Sequence, residues 1–299
     1  MPSTRRIFVL CFAAWCVGRG KADEPRVPAK EKSTTPPAVA EIPAAESFWI
    51  IPLRVILLQS DEFPAANCSL RDEDLERIVG KVNRVWGPAG IAFGLESIRR
   101  ETAIVPERLK PVPAAAAKDA VIEQGSNGKE PQSAAATHKT APQAVKPHEA
   151  ALRDAGSSDL FRAMIPAADR KFAGFRAYYI HAFDVNGIYY GRREMMIQEM
   201  AELRTVPGGI DEPLPRVTAH ELGHGLGLVH RQDRVNLLAS GTTGTGLSAE
   251  EIAAARKAAE KIPGALKMND LEKTIAAETD PQRQALLKRW QAEVAKLTN

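Results

Sequence analysis

Thr218 to His230 reads TAHELGHGLGLVH, and this stretch decides how the rest of the chain is read. Three of the six histidines in 299 residues fall inside it, at positions 220, 224 and 230, and Glu221 follows the first directly. A helix turn puts residues four apart on one face, so His220 and His224 project to the same side. Glycines at 223, 225 and 227 make this a poor helix, each costing up to about 1 kcal/mol relative to alanine. At Gly227 the reason is geometric. Without a β-carbon the residue takes positive φ, the helix stops, and the chain swings His230 back to the point that His220 and His224 face. Three neutral imidazoles suit Zn²⁺ at about 2.0 to 2.1 Å and leave a fourth tetrahedral position open, as in a catalytic rather than a closed structural site. Glu221, beside the first ligand, is expected to lie near the metal without binding it and to act as general base.

HELGHGLGLVH fits the pattern HExxHxxGxxH and resembles the signature of the metzincin zinc endopeptidases. The resemblance implies His220, His224 and His230 as zinc ligands, Glu221 as the catalytic base, and a protein or peptide as substrate. It also implies an α+β fold, a mixed twisted sheet packed with the active-site helix and a C-terminal helix, over about residues 48–262. Metzincins carry a methionine in a tight turn beneath the metal. The corresponding stretch here, DRVNLLASGTTGTGLS, has Leu238 in that place, and leucine of similar volume should support the site with a modest change in packing. No tyrosine follows the turn, so Ala239 and Ser240 offer no further ligand. The run from Gly241 to Gly246 either shapes the pocket for the side chain after the scissile bond, as the resemblance implies, or is a flexible turn. Two other readings fit the same motif. One is an inactive zinc-binding relative, against which Glu221 argues, since a structural site has no use for a base. The other is a zinc amidase acting on cell-wall peptide, whose chemistry would be identical.

The N-terminus, MPSTRRIFVLCFAAWCVGRGKADEP, has Arg5 and Arg6, then an apolar run from Ile7 to Gly18, then small residues at Gly20 and Ala22. This predicts a secretory signal over residues 1–22. The apolar run is shorter than the roughly 20 residues needed to span a bilayer, so cleavage rather than stable membrane insertion is expected, with a secreted or periplasmic product. Cys11 and Cys16 would leave with it. Cys68 would remain as the one thiol, which rules out an internal disulfide in the mature chain. The formal charge of +3 comes from 40 basic and 37 acidic residues that are interspersed, which excludes a nucleic-acid footprint.

Residues 23–47, rich in proline, alanine and charge, read as a disordered tether. Order is expected from Trp49 to Gln59 as a strand, Arg71 to Trp86 as an amphipathic helix, and Ile91 to Ile98 as a second strand. From about 101 to 153 the composition turns to alanine, lysine and proline with almost no large apolar residues, which predicts a solvated insertion holding His138 and His148. Then come a short helix in SSDLFRAMIPA, a strand from Gly174 to Phe183, a turn at VNGIYYG, and a strand from Glu194 to Met200. That last strand is either an ordinary sheet member or the edge along which an extended peptide lies. Pro213 and Pro215 end the loop before the histidine helix. Ser248 and Glu251 form a capping box. A final helix is capped by Asp280 and begins at Pro281, with Leu286 or Leu287, Trp290, Val294 and Leu297 on one stripe; residues 263–299 form a helical extension.

Overall fold

Strand β1 (Trp49–Gln59) is the axis of the molecule, and its alternation shows why. Ile51, Leu53, Val55 and Leu57 enter one apolar cluster, while Ile50 joins a second and Ile56 and Leu58 a third. Side chains alternate across a strand, so a strand buried on both faces must sit inside a sheet covered on both sides. The computed structural model describes residues 41–109, 157–166 and 171–298. The expected signal over 1–22, most of the tether, the insertion from 110 onward, His138 and His148 lie outside them.

Around β1 the sheet runs in the order β2-β1-β3-β5-β4. Strands β2 (Ile91–Thr102) and β3 (Phe175–Ile180) flank β1, both parallel to it, and β5 (Glu194–Gln198) lies parallel to β3. Strand β4 (Gly187–Gly191) closes one edge, antiparallel to β5. A two-residue strand β6 (Leu266–Lys267) pairs with the start of β1. The result is a mixed α/β fold with a mostly parallel sheet. Helix α1 (Asp72–Trp86) and helix α3 (Pro213–Gly225) cover one face, and α2 (Ser157–Ala163) adds Phe161 to the other.

Several boundaries moved for physical reasons. Strand β2 runs on to Thr102, and Ala103 and Leu109 are buried, so the first residues of the low-complexity stretch belong to the core. Pro213 and Pro215 lie in the first turn of α3, where a missing N–H breaks no helical bond. VNGIYYG is a strand from Gly187 onward, and the turn comes afterwards at Arg192 and Arg193. Both of these arginines have positive φ, 51° and 62°. Such a turn normally takes Asn-Gly, and each non-glycine residue there costs on the order of 1–2 kcal/mol.

After the histidine segment, helix α4 (Ala249–Ala259) opens on the expected Ser248–Glu251 capping box. Two helices then follow rather than one, α5 (Met268–Ala277) and α6 (Pro281–Thr298). Leu287, Trp290 and Val294 of α6 are buried with Phe48, Ile50 and Ala92. Trp290 lies flat against Gly94, where a β-carbon would come within 2.5 Å of the indole, and its Nε1–H donates to the Leu95 carbonyl at 3.1 Å. No helix among the described residues is long and apolar enough to cross a membrane.

Candidate metal centre

Helix α3 carries His220 and His224 into a cleft of about 610 Å³. Its glycines are explained one by one. At Gly225 a β-carbon would fall 2.1 Å from the ring of Phe175, and at Gly223 it would press on Leu238 at 3.3 Å. Gly227 has φ of 84° and ends the helix by reversing the chain, with the Leu228 amide returning to the Gly223 carbonyl at 3.0 Å. His230 then arrives opposite the pair. The three Nε2 atoms are 3.1 Å (His220 to His224), 3.1 Å (His224 to His230) and 3.3 Å (His220 to His230) apart.

The bonds on the far side of the rings say what those nitrogens are. His220 Nδ1 lies 2.8 Å from the Leu237 carbonyl, and His224 Nδ1–H donates to the Leu228 carbonyl at 2.9 Å. A carbonyl accepts only, so His224 Nδ1 holds the proton and its Nε2 is a bare acceptor; at His220 both the Leu237 carbonyl and the Arg216 guanidinium lie at Nδ1. Bare acceptors aimed at one point repel unless a cation lies between them. Nitrogens at zinc distance in tetrahedral geometry would be about 3.3 to 3.4 Å apart, within a few tenths of an ångström of what is found. The three histidines can hold a metal ion, and they are the one such group of histidine, cysteine or acidic residues among the described residues. Burial, reinforced by Arg216, lowers the His220 pKa to about 3, and burial lowers that of His224 as well. Both rings are therefore neutral, as ligation requires.

Glu221 is buried one residue beyond the first histidine, and strand β4 lies directly over it. Gly187 makes this approach possible, since a β-carbon there would fall 2.6 Å from Val217 and 3.0 Å from the Glu221 carboxylate. Burial pushes Glu221 up to about 8, against the opposing pull of the Arg216 guanidinium and a hydrogen bond from the Tyr189 amide. That amide faces Glu221 rather than a neighbouring strand, so the unpaired side of β4 looks into the cleft. The strand offered as a possible peptide-pairing edge, β5, is an interior member of the sheet, and the edge is β4, where a turn was expected.

Two buried residues that the motif does not mention hold the loop after it. Arg216, one helix turn before His220, donates through Nε to the Gly244 carbonyl at 3.1 Å and through Nη2 to the carbonyls of Asn236 and Ala239. Its Nη1 lies 3.0 Å from His220 Nδ1. Burial, opposed by the Glu221 carboxyl, lowers its pKa to about 10. Glu251 takes Arg231 Nε at 2.6 Å, Asn236 Nδ2 at 2.8 Å and the Ser248 amide at 2.8 Å. The residue next to His230 is thereby pinned to α4. The Ser248–Glu251 capping pattern was visible in the sequence; the second use of its carboxylate was not.

The remaining candidates fall elsewhere. Leu238 is fully buried, with its side chain 3.3 Å from where a β-carbon on Gly223 would fall. Asp233, which could have oriented the third histidine or simply made a turn, accepts from the Val235 amide at 3.2 Å as a turn residue does. Thr243 is buried and accepts from the Val206 amide at 3.0 Å, so the Gly241–Gly246 run is tied down. Cys68 is buried and its thiol donates to Glu199 at 3.3 Å; burial and that carboxylate push its pKa far up, and it is not part of the metal-ligating group. No protein-family model matches the chain, and no curated protein matches it significantly.

Proposed function

We propose that this chain is an exported zinc-dependent endopeptidase of the metzincin type. The observation that carries the reading is the convergence of three imidazole Nε2 atoms beside the Glu221 carboxyl, at the open edge of a sheet. His220, His224 and His230 would hold the ion, and three neutral imidazoles are a set that zinc prefers. When bound, zinc supplies Lewis-acid polarisation of a carbonyl and acidification of water.

The chain's own residues do the rest. Glu221 takes a proton from the attacking water and returns one to the leaving amine, a task suited to a carboxyl whose proton affinity lies near neutral pH. The unpaired side of β4 aligns an extended peptide through its main chain, which orients the scissile carbonyl without demanding particular side chains. Leu238 fills the floor beneath Gly223, and Arg216 fixes the loop behind it.

Metal analysis of the purified chain, together with cleavage of a broad peptide library, tests this. The expected result is one zinc per chain in wild type and in Glu221→Ala, with kcat/KM lower in the variant by about 10²- to 10⁴-fold. A zinc-loaded wild type that cuts nothing in the library would overturn the proposal.

A further inference from the structure

The two ends of β4 differ in chemistry. The Gly187 end lies over Val217 and Glu221. The other end turns through Arg192 and Arg193, both held in the left-handed region. Neither arginine side chain makes a hydrogen bond or ion pair among the described residues, although each backbone carbonyl is taken by Arg176, at 2.8 Å in both cases. Arg176 and Arg162 also reach this corner, and the carboxylate they share is Glu194, at 3.0 and 3.8 Å. Two guanidiniums thus meet at one acid, and the adjoining turn carries two more arginines. Asn-Gly would make this turn without strain, so the turn itself does not call for arginine at either position.

We infer that Arg192 and Arg193 form a subsite for acidic side chains of the extended peptide that lies along β4, on the N-terminal side of the bond to be cut. The inference rests on the peptidase reading for where that bond sits. Antiparallel addition to an edge strand gives the more stable ladder, and a peptide so placed runs from the arginine turn toward Glu221. Arg192 is five residue steps from Gly187, about 17 Å of strand. The acidic side chains therefore fall roughly four to six positions before the scissile bond. Two partly exposed ion pairs should together favour such a peptide about tenfold at low salt, and the preference should fade near 1 M salt, where screening acts within about 3 Å.

The test uses the full zinc-loaded chain carrying Glu221→Ala, so that binding is read without turnover. Three fluorescein-labelled peptides of one sequence carry aspartates upstream, aspartates downstream, or asparagines throughout. Fluorescence polarisation should show the upstream-aspartate peptide binding about tenfold tighter than the asparagine peptide. Adding Arg192→Asn and Arg193→Gly should bring that ratio to about one while leaving the thermal midpoint the same or higher, because the new pair suits the turn. Equal affinities, a preference for downstream aspartates, or a preference that survives the double substitution would each overturn the inference. Cleavage of the asparagine peptide by wild type reads the peptidase proposal separately. If no peptide is cut while the upstream preference stands, the peptidase reading fails and the acidic-peptide subsite is supported.

Discussion

Two histidine clusters in this chain use similar residues to opposite effect. At the triad, the Nδ1 atoms of His220 and His224 lie against the carbonyls of Leu237 and Leu228, and the Nε2 atoms face one another across a cleft. At the second cluster, His181 Nδ1 bonds to Glu199, whose carboxylate also takes the Ser69 amide at 2.7 Å, the Ser69 hydroxyl at 3.1 Å and the Cys68 thiol at 3.3 Å. Both Glu199 oxygens there have donors, so the carboxylate has nothing left over for a ligand. The contrast is between ring nitrogens gathered on one point, which can hold an ion, and a carboxylate whose oxygens are all engaged.

Removing one member from each cluster should separate them most sharply. In wild type, zinc at a hundredfold excess over its dissociation constant should stabilise the fold by about 2.7 kcal/mol. His230→Ala should abolish that zinc-dependent rise in the thermal midpoint and all detectable peptide cleavage, while His181→Ala leaves the zinc response intact. A zinc response of full size in His230→Ala would show that the ion sits elsewhere.

A smaller effect probes how the third ligand is held. Glu251→Gln keeps the shape of the capping box but removes the charge that grips Arg231, the neighbour of His230. Outer-shell partners of this kind typically contribute 10- to 100-fold in metal affinity, and a loss near the lower end is expected because Arg231 is itself half exposed. Competition with a zinc chelator measures it. Arg231→Ala should give a similar loss, and the double variant should be no worse than either alone, which is the signature of one shared interaction. Additive losses would break the link.

What could be read in advance follows the same division between local and long-range chemistry. The triad was legible because its geometry is local: a four-residue helical step, then a glycine at φ 84°, bring the third ring back within six residues. Strand β1 and helix α1 were legible from periodicity, since each buries one side or both in strict order. Strand β4 was not. Its five residues are all half buried and show no alternation, and the Asn186-Gly187 pair imitates a turn while serving close packing over Glu221. The turn that does occur uses two arginines, against propensity. Helix α5 hid because only Leu271 and Ile275 are buried on it. Arg216 and Glu251 act on partners 15 to 28 residues away, and no pattern within a single element announces such contacts.

The smallest effect belongs to the clasp, and its pH dependence has a definite sign. Burial alone would raise the Glu199 pKa, but the bonds from His181, Ser69 and Cys68 outweigh it and hold the carboxyl below its ordinary value. A depressed folded pKa means the unfolded chain binds the proton more readily, so the contribution is complete above the ordinary glutamate value of about 4.3 and is lost as pH falls through the folded value. Glu199→Gln should therefore lower stability by about 1 kcal/mol at neutral pH, a few degrees in thermal midpoint for a domain of this size. The gap between wild type and variant should then close on acidification below about pH 4. Melts of the two metal-free chains from pH 7 to pH 3 measure that gap directly. A difference that stayed constant across the range would mean that Glu199 acts through shape rather than charge, and the two histidine clusters would then differ in packing instead of in how their ionisable atoms are satisfied.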